Sequence, residues 1–382
     1  MRIGVDVTML QIRQGRHGTG SYLRGLIHGL SRRPPAHDYV LVAWDAPGPD
    51  LPPLPAHIRI ARLAVAAPGR GRALISHQLA LPRLVRRLGF DVLHVPGVAV
   101  TASMPALPFA PGAPVVVTVH DLIPLLFPDA VLPRWRHRLF YRLTLRASVR
   151  ARRLLCDSEA TRRDLIERLS VAPARLSVAP LAADPLFTTS PGAADDARAN
   201  DLPADFVLHV GGPAPTKNLG GLLAAMGALW DDGRVQSHLI SVSSLPFDPI
   251  ALCPAAARHR DRIHALEDVS PRFLHWLYQR AQCVAVPSLY EGFGLPVLEA
   301  MASGCPVVAA RVASLPEVGG DAAVYAEPGD PASLAVALAD LVGDERRRTA
   351  ARAAGVARAA AFTWDRTAAA TVAAYEIAGL RP

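Results

Sequence analysis

The sequence predicts an α/β chain of two domains, each built on a parallel sheet, and three observations carry that expectation. Short apolar runs rich in β-formers alternate with longer segments of 3.6-residue apolar period, the pattern of repeated βα units. A length of 382 residues with 51% hydrophobic content is too much for one ordinary core and enough to fill two. Between the two series, residues 188–205 are rich in Ala, Asp, Gly and Pro without apolar periodicity and read as a linker.

In chain order, strands are expected at 2–7, 39–44, 58–65, 91–95, 115–120 and 154–157, with helices between them. Tyr22, Leu23, Leu26, Ile27 and Leu30 make one apolar stripe, which places a helix after Ser21 as N-cap. The second series opens with the apolar strand 206–210, a Gly/Pro-rich turn and a helix over 218–229. Further strands follow at 238–242, 283–286 and 306–309.

The longest charge-free run, residues 92–120, is interrupted by Pro96, Pro105, Pro108, Pro111 and Pro114 and cannot form a regular spanning helix. The chain starts directly on a strand without a signal-peptide pattern, so a soluble, cytoplasmic protein is expected. Cys156, Cys253, Cys283 and Cys305 lie far apart with no CxxC spacing, which predicts buried thiols rather than a zinc site or a disulfide framework.

The net charge of +8 hides an asymmetry: residues 1–190 carry +13 and residues 191–382 carry −5. A basic first half suits an anionic membrane surface, a phosphorylated acceptor or nucleic acid, and a genome that writes its surface cations as Arg explains it equally well. Nucleic acid is set aside because no nucleic-acid module accompanies the charge. Lys217 is the single lysine among 41 basic residues, which marks a position where a compact ammonium is needed.

Lys217 belongs to the first of two constellations, Gly211-Gly212-Pro213-Ala214-Pro215-Thr216-Lys217-Asn218, between a strand and a helix. Glycines admit a close ligand, a helix N-terminus favours an anion, and Lys217 adds a full charge, so the loop suits a diphosphate. A Lys–phosphate contact at ~4 Å contributes about 4 kcal/mol at an effective dielectric near ~20, before desolvation. The second constellation runs from Pro287 to Pro306, where a strand enters the Gly-rich loop Gly292-Phe293-Gly294-Leu295 and a helix follows. Glu291 precedes the loop and Glu299 lies about two helical turns on; two carboxylates can each accept paired hydrogen bonds from the vicinal hydroxyls of a sugar or ribose.

The run from Glu291 to Glu299 is an E-x(7)-E pattern. With Gly211–Asn218, Gly18-Thr19-Gly20-Ser21-Tyr22, His120-Asp121-Leu122-Ile123-Pro124, Asp157-Ser158-Glu159, Ala313-Ser314-Leu315-Pro316-Glu317-Val318 and Phe362-Thr363-Trp364, the chain resembles glycosyltransferase family 4 over nearly its whole length. That resemblance implies the GT-B fold: two Rossmann-like domains with parallel sheets facing an interdomain cleft. Residues 1–190 would be the acceptor domain, 191–361 the nucleotide-sugar donor domain, and 362–382 a terminal helix packing back on the first domain.

Carried over by match, Lys217 would bind the donor diphosphate, Glu291 the hydroxyls of the transferred sugar and Glu299 the nucleotide ribose. Gly211, Gly212, Thr216, Gly292, Phe293, Gly294 and Leu295 complete the donor loops, and Leu266 to Val269 match the loop lining the base. Gly18, Thr19 and Gly20 would close on the phosphates from the opposite domain, with His120 next to the reacting centre. Thr216 departs from the family, which commonly has Arg there; Arg24 or Arg16 would have to supply the missing charge.

The resemblance further implies retaining transfer with no metal and no cofactor beyond the substrate nucleotide sugar. The motifs around His120 and Ser314 resemble the polysaccharide and O-antigen mannosyltransferase branch, which points to GDP-mannose, with UDP-glucose, UDP-N-acetyl sugars and dTDP-rhamnose as alternatives. The acceptor would be a saccharide or a polyprenyl-diphosphate-linked saccharide. The basic-aromatic segment 133–153 suits an anionic membrane surface at the inner face of the plasma membrane. A hydrolysing sugar-nucleotide epimerase and a catalytically silent sugar-nucleotide binder are the readings from other classes.

Overall fold

The computed structural model describes residues 1–11, 18–44, 51, 53–63, 76–98, 108, 110–192, 195–244 and 246–380. The chain divides into two compact units, the first comprising Met1–Leu181 and Thr363–Pro382 and the second Ala182–Phe362. The first boundary therefore falls after Leu181 rather than after residue 190. Residues 188–192 are not a free linker: the Thr188 carbonyl accepts from His275 Nε2 (2.8 Å) and Gln279 Nε2 (2.9 Å), and Gly192 N–H donates to Gln279 Oε1 (2.7 Å). Composition foretold a loop there, but the helix Pro271–Arg280 supplies the partners that fix it to the second unit.

Among the described residues the first unit holds seven strands, β1 Arg2–Asp6, β2 Asp38–Ala43, β3 Ile58–Arg62, β4 Val92–Pro96, β5 Val115–Val119, β6 Arg153–Cys156 and β7 Leu176–Val178. They are all parallel, in the order β3-β2-β1-β4-β5-β6-β7. β4 and β5 are buried at every position, as a sheet covered on both faces requires. The order reverses between β1 and β4, which opens a crevice at the C-terminal ends of these strands.

The helix Gly18–Arg32 covers this sheet and packs on the terminal helix Trp364–Gly379. It begins at Gly18, so Ser21 lies inside its first turn rather than capping it, a correction to the apolar-stripe reading. The Trp364 side chain packs on Gly25, where a Cβ would come within 2.0 Å of its ring, and a Cβ at Gly29 would come within 2.3 Å of the Trp364 carbonyl oxygen.

The second unit has six parallel strands, β8 Phe206–Val210, β9 His238–Ser243, β10 Ile263–Glu267, β11 Cys283–Val286, β12 Val307–Ala310 and β13 Val324–Ala326, in the order β10-β9-β8-β11-β12-β13. Here the reversal falls between β8 and β11, which makes the loops leaving those two strands neighbours. Leu222, Leu223, Met226 and Leu229 of the helix Leu219–Asp231 fill the core against Val207, Cys283 and Val308.

Three strands, β7, β10 and β13, were not foreseen; β7 and β13 span three residues each, too few for a period. The expected strand 58–65 ends at Arg62, and residues 64–65 lie outside the described residues. Cys156, Cys283 and Cys305 are buried thiols as expected, whereas Cys253 is partly exposed. Among the described residues no helix is long and apolar enough to cross a membrane.

Candidate functional site

In the second unit β8 and β11 pair in parallel, so their exit loops emerge side by side. Gly211 and Gly212 leave β8 with φ of 142° and 65°. At Gly212 the left-handed backbone and the approach of Ser243 Oγ, 2.3 Å from where a Cβ would stand, both require glycine. The chain then makes the tight turn Pro215–Lys217, and Asn218, also left-handed at φ 54°, opens the helix Leu219–Asp231.

Two hydrogen bonds pin this loop to the one leaving β11: Asn218 Nδ2 donates to the Pro287 carbonyl (3.1 Å), and Leu289 N–H donates to the Thr216 carbonyl (2.8 Å). As a result Lys217 Nζ meets Glu291 Oε1 at 2.7 Å, and Ser288 Oγ donates to the same carboxylate oxygen at 2.7 Å. The Lys217 side chain is 24% exposed and that of Glu291 8%, so the acid is the more buried member of the pair. Ser314 Oγ donates to the Glu291 carbonyl (2.9 Å), which ties the Ser314–Val318 motif to the site.

Beyond Glu291 the loop turns at Gly294 (φ 101°) into the helix Leu295–Ala302, with Phe293 buried against Phe362. Glu299, on that helix, accepts from Tyr278 OH at 2.9 Å. Burial pushes the Glu299 carboxyl up to about 7, against the opposing pull of the Tyr278 hydrogen bond. His209, buried near Lys217, is pushed down to about 4 by burial and by the Lys217 charge and stays neutral.

Leu266 is a correction: it lies in β10 and is buried, so the loop starts at Asp268, with Val269 partly exposed. Thr216 is buried, and the position where the resembled family carries Arg holds no charge. Arg24 lies on the helix Gly18–Arg32 of the first unit, and Arg16 is outside the described residues.

In the first unit a cavity of about 250 Å³ lies at the crevice between the ends of β1, β4 and β5, bordered by Asp6, Thr19, Gly97, His120, Asp121 and Tyr141. His120 follows β5 and Asp157 follows β6, the next strand in the sheet, and the two side chains meet at 2.7 Å through His120 Nδ1 and Asp157 Oδ2. Ser158 caps the helix Glu159–Leu169, and Thr161 Oγ1 from its first turn donates to the His120 carbonyl (3.2 Å). The residue is thus held by both side chain and backbone.

Burial pulls the His120 imidazole down, but the Asp157 charge and hydrogen bond outweigh it and the net shift is upward. His120 Nε2 and Tyr141 OH are buried atoms with no hydrogen-bond partner among the described residues. Asp6 pairs with the buried His77 (2.9 Å) and Thr8 (2.6 Å), and these contacts hold its carboxyl below the usual range despite burial. Gly18 is exposed at the start of its helix, Thr19 borders the cavity and Gly20 is buried.

The second unit therefore brings together Gly211, Gly212, Thr216, Lys217, Glu291, Gly292, Phe293, Gly294, Leu295 and Glu299, while Gly18, Thr19, Gly20 and His120 belong to the first. Asp6, Tyr278 and Ser288 were given no role by sequence reasoning, and Tyr141 was read only as part of the basic-aromatic segment 133–153. Asp157 carried only a motif match, although an acid at the end of an apolar strand was its visible signal. Among the described residues no group of three or more His, Cys, Asp or Glu side chains could hold a metal ion.

Two family models match the chain, Glycosyltransferase Family 4 over residues 16–185 and Glycosyl transferases group 1 over residues 204–344. The MMP alpha-(1->4)-mannosyltransferase of Mycolicibacterium hassiacum is 32% identical over 304 residues, 76% of this chain and 71% of that protein. The O-antigen chain mannosyltransferase B of Escherichia coli is 31% identical over 174 residues, and the match spans 45% of this chain and 46% of that relative. A D-inositol 3-phosphate glycosyltransferase of Kineococcus radiotolerans is 34% identical over 248 residues, 59% and 57% of the two chains. Among solved structures, sucrose-phosphate synthase from Thermosynechococcus elongatus aligns over 98% of each chain with a TM-score of 0.72 and 21% identity. Anabaena Alr3699/HepE, in complex with UDP and glucose, aligns over 98% of each with a TM-score of 0.70 and 19% identity. The likeness to both is one of fold, the GT-B architecture of two Rossmann-like domains.

Proposed function

The chain belongs to glycosyltransferase family 4, and we propose that it moves mannose from GDP-mannose to a hydroxyl of a saccharide or lipid-linked saccharide, with retention of configuration. The observation that carries the transferase reading is the pairing of Lys217 with Glu291 where the loops leaving β8 and β11 meet. In this reading the diphosphate takes Lys217 as its counter-charge, which frees Glu291 to accept hydrogen bonds from the sugar, and Glu299 accepts from the ribose hydroxyls.

During transfer the bond between the anomeric carbon and the β-phosphate oxygen breaks as the acceptor oxygen bonds that carbon. The acceptor proton passes to the departing phosphate oxygen. Charge growing on the diphosphate is met by Lys217 and the backbone amides of the Gly-rich loops in place of a resident metal. His120, with Nδ1 fixed by Asp157, offers Nε2 to a sugar hydroxyl in the first unit's cavity.

Mannose is supported by relatives named as mannosyltransferases; a UDP-sugar is the competing donor, favoured by the UDP-bound Anabaena structure. A thermal-shift panel of GDP-mannose, UDP-glucose, UDP-N-acetylglucosamine and dTDP-rhamnose, with chelator present, separates them. At a concentration ~100-fold above Kd the true donor adds about 2.7 kcal/mol, a shift of several degrees. Stabilisation by GDP-mannose alone is expected; stabilisation by UDP species alone overturns the mannosyl assignment. Epimerised product formed without acceptor would instead identify an epimerase, and binding without turnover a silent binder.

The helix Trp135–Ser148 supports a peripheral place on an anionic membrane, at the cytoplasmic face. It exposes Trp135, Leu139 and Leu143 (70%, 49% and 54%) beside the exposed Arg136, Arg142 and Arg146. Co-sedimentation with vesicles should rise with the fraction of anionic lipid, and sedimentation that ignores lipid charge removes this placement.

A further inference from the structure

Beside the His120 imidazole four buried side chains join end to end. Tyr375 OH lies 2.7 Å from His94 Nδ1, His94 Nε2 lies 2.8 Å from Thr118 Oγ1, and Thr118 Oγ1 lies 2.9 Å from Tyr22 OH. None of the four is more than 1% exposed. At its end the Tyr22 ring stands edge-on to the His120 ring, with centroids 4.9 Å apart and planes at 74°.

Each member comes from a different element. Tyr22 is on the helix Gly18–Arg32, whose Thr19 borders the cavity; Thr118 is on β5, which leads into His120; His94 is on β4; Tyr375 is on the terminal helix Trp364–Gly379. Burial, reinforced by the nearby His120, pushes His94 down to about 3, so it is neutral. A neutral imidazole donates through one nitrogen and accepts through the other. The bonds on its two sides must then run in one direction: if Tyr375 donates to Nδ1, Nε2 donates to Thr118. A change of hydrogen-bond direction at the terminal helix is thereby felt at Tyr22.

We propose that Tyr375, His94, Thr118 and Tyr22 are positioning residues, a relay through which the terminal helix sets the stance of the His120 imidazole relative to the cavity. Such a buried chain has two self-consistent directions, and a mixed one leaves a polar group unpaired in a low-dielectric interior, so its members change direction together. Among the described residues Asp157 and Tyr22 face His120 directly, Asp121 and His94 act on it electrostatically, and the hydrogen-bonded path from Tyr375 to it is the relay. The functional weight of this inference rests on His120 facing substrate, but its test does not depend on turnover.

The full-length protein is labelled with 13C at histidine Cε1, and the His120 resonance is identified by its loss in His120→Gln. Tyr375→Phe removes one hydroxyl far from His120 and is expected to shift the His120 resonance and its titration midpoint. Thr118→Val should do the same, Thr118→Ser should restore the parent values, and Tyr375→Phe should add nothing in the Thr118→Val background, because coupled sites are non-additive. The proposal is overturned if folded Tyr375→Phe protein keeps the parent's His120 resonance and midpoint, or if the two effects simply add. Release of GDP from GDP-mannose by the parent, measured separately, tests the mannosyl reading and leaves this result untouched.

Discussion

Lys217 Nζ donates to Glu291 Oε1 at 2.7 Å, so the only lysine of the chain and the first acid of the E-x(7)-E pattern are joined in one ion pair. The second contact to that carboxylate oxygen comes from Ser288 Oγ. The Lys217 ammonium carries three N–H donors, so a diphosphate that takes it as counter-ion competes with Glu291 for its charge, and the carboxylate keeps lone pairs with which to accept from a sugar.

The pair also bears on stability. Lys217→Met leaves Glu291 buried with Ser288 as its remaining side-chain partner among the described residues and is expected to cost about 2 kcal/mol. Urea unfolding should show a smaller loss for the Lys217→Met/Glu291→Gln double variant, since no unpaired charge remains.

Glu299 predicts a pH dependence of known sign. Its folded value near 7 lies above the ordinary 4.5, so the folded state holds its proton more tightly than the unfolded chain. Its contribution to stability falls as pH rises from 4.5 to about 7 and is constant above that. Glu299→Gln keeps an acceptor for Tyr278 OH and should gain on the parent across that interval in unfolding experiments at stepped pH. If the carboxylate form accepts from the ribose, GDP affinity for the parent should tighten from about pH 6 to about pH 8, and the variant should lose that slope.

For His120 the shift is upward, so the ion pair with Asp157 stabilises the fold below the ordinary value of 6.5 and fades as pH rises through the folded midpoint. Asp157→Asn removes the charge that raises it. The His120 midpoint read by NMR should fall, and the stability gap between parent and variant should narrow at high pH.

At Gly25 an added methyl has nowhere to go, because its carbon would stand 2.0 Å from the Trp364 ring. Gly25→Ala is expected to cost about 1–3 kcal/mol in urea unfolding through overpacking, despite the better helix propensity of Ala.

How much of this was legible follows from which distances are local. The strand Phe206–Val210 and the loop after it could be read directly, since an apolar run, two glycines and a lone lysine are contiguous. The Lys217–Glu291 contact could not, because it needs β8 and β11 to be neighbours across 74 residues of sequence. The same holds for His120 and Asp157, joined by the β5–β6 pairing, and for Tyr375 and His94, 281 residues apart. β13 has no period to detect in three residues, and Leu266 was placed in a loop because the strand that buries it, β10, was not foreseen. The start of the linker was misjudged for a similar reason: Gln279 and His275, which fix residues 188–192, lie in a helix far along the chain.

Calorimetric titration of GDP-mannose into the parent and Lys217→Met proteins tests the donor site most directly. The geometry predicts saturable binding to the parent and binding at least ~10-fold weaker, about 1.4 kcal/mol, to the variant. Equal affinity for the two proteins would contradict the assignment of Lys217 to the donor diphosphate.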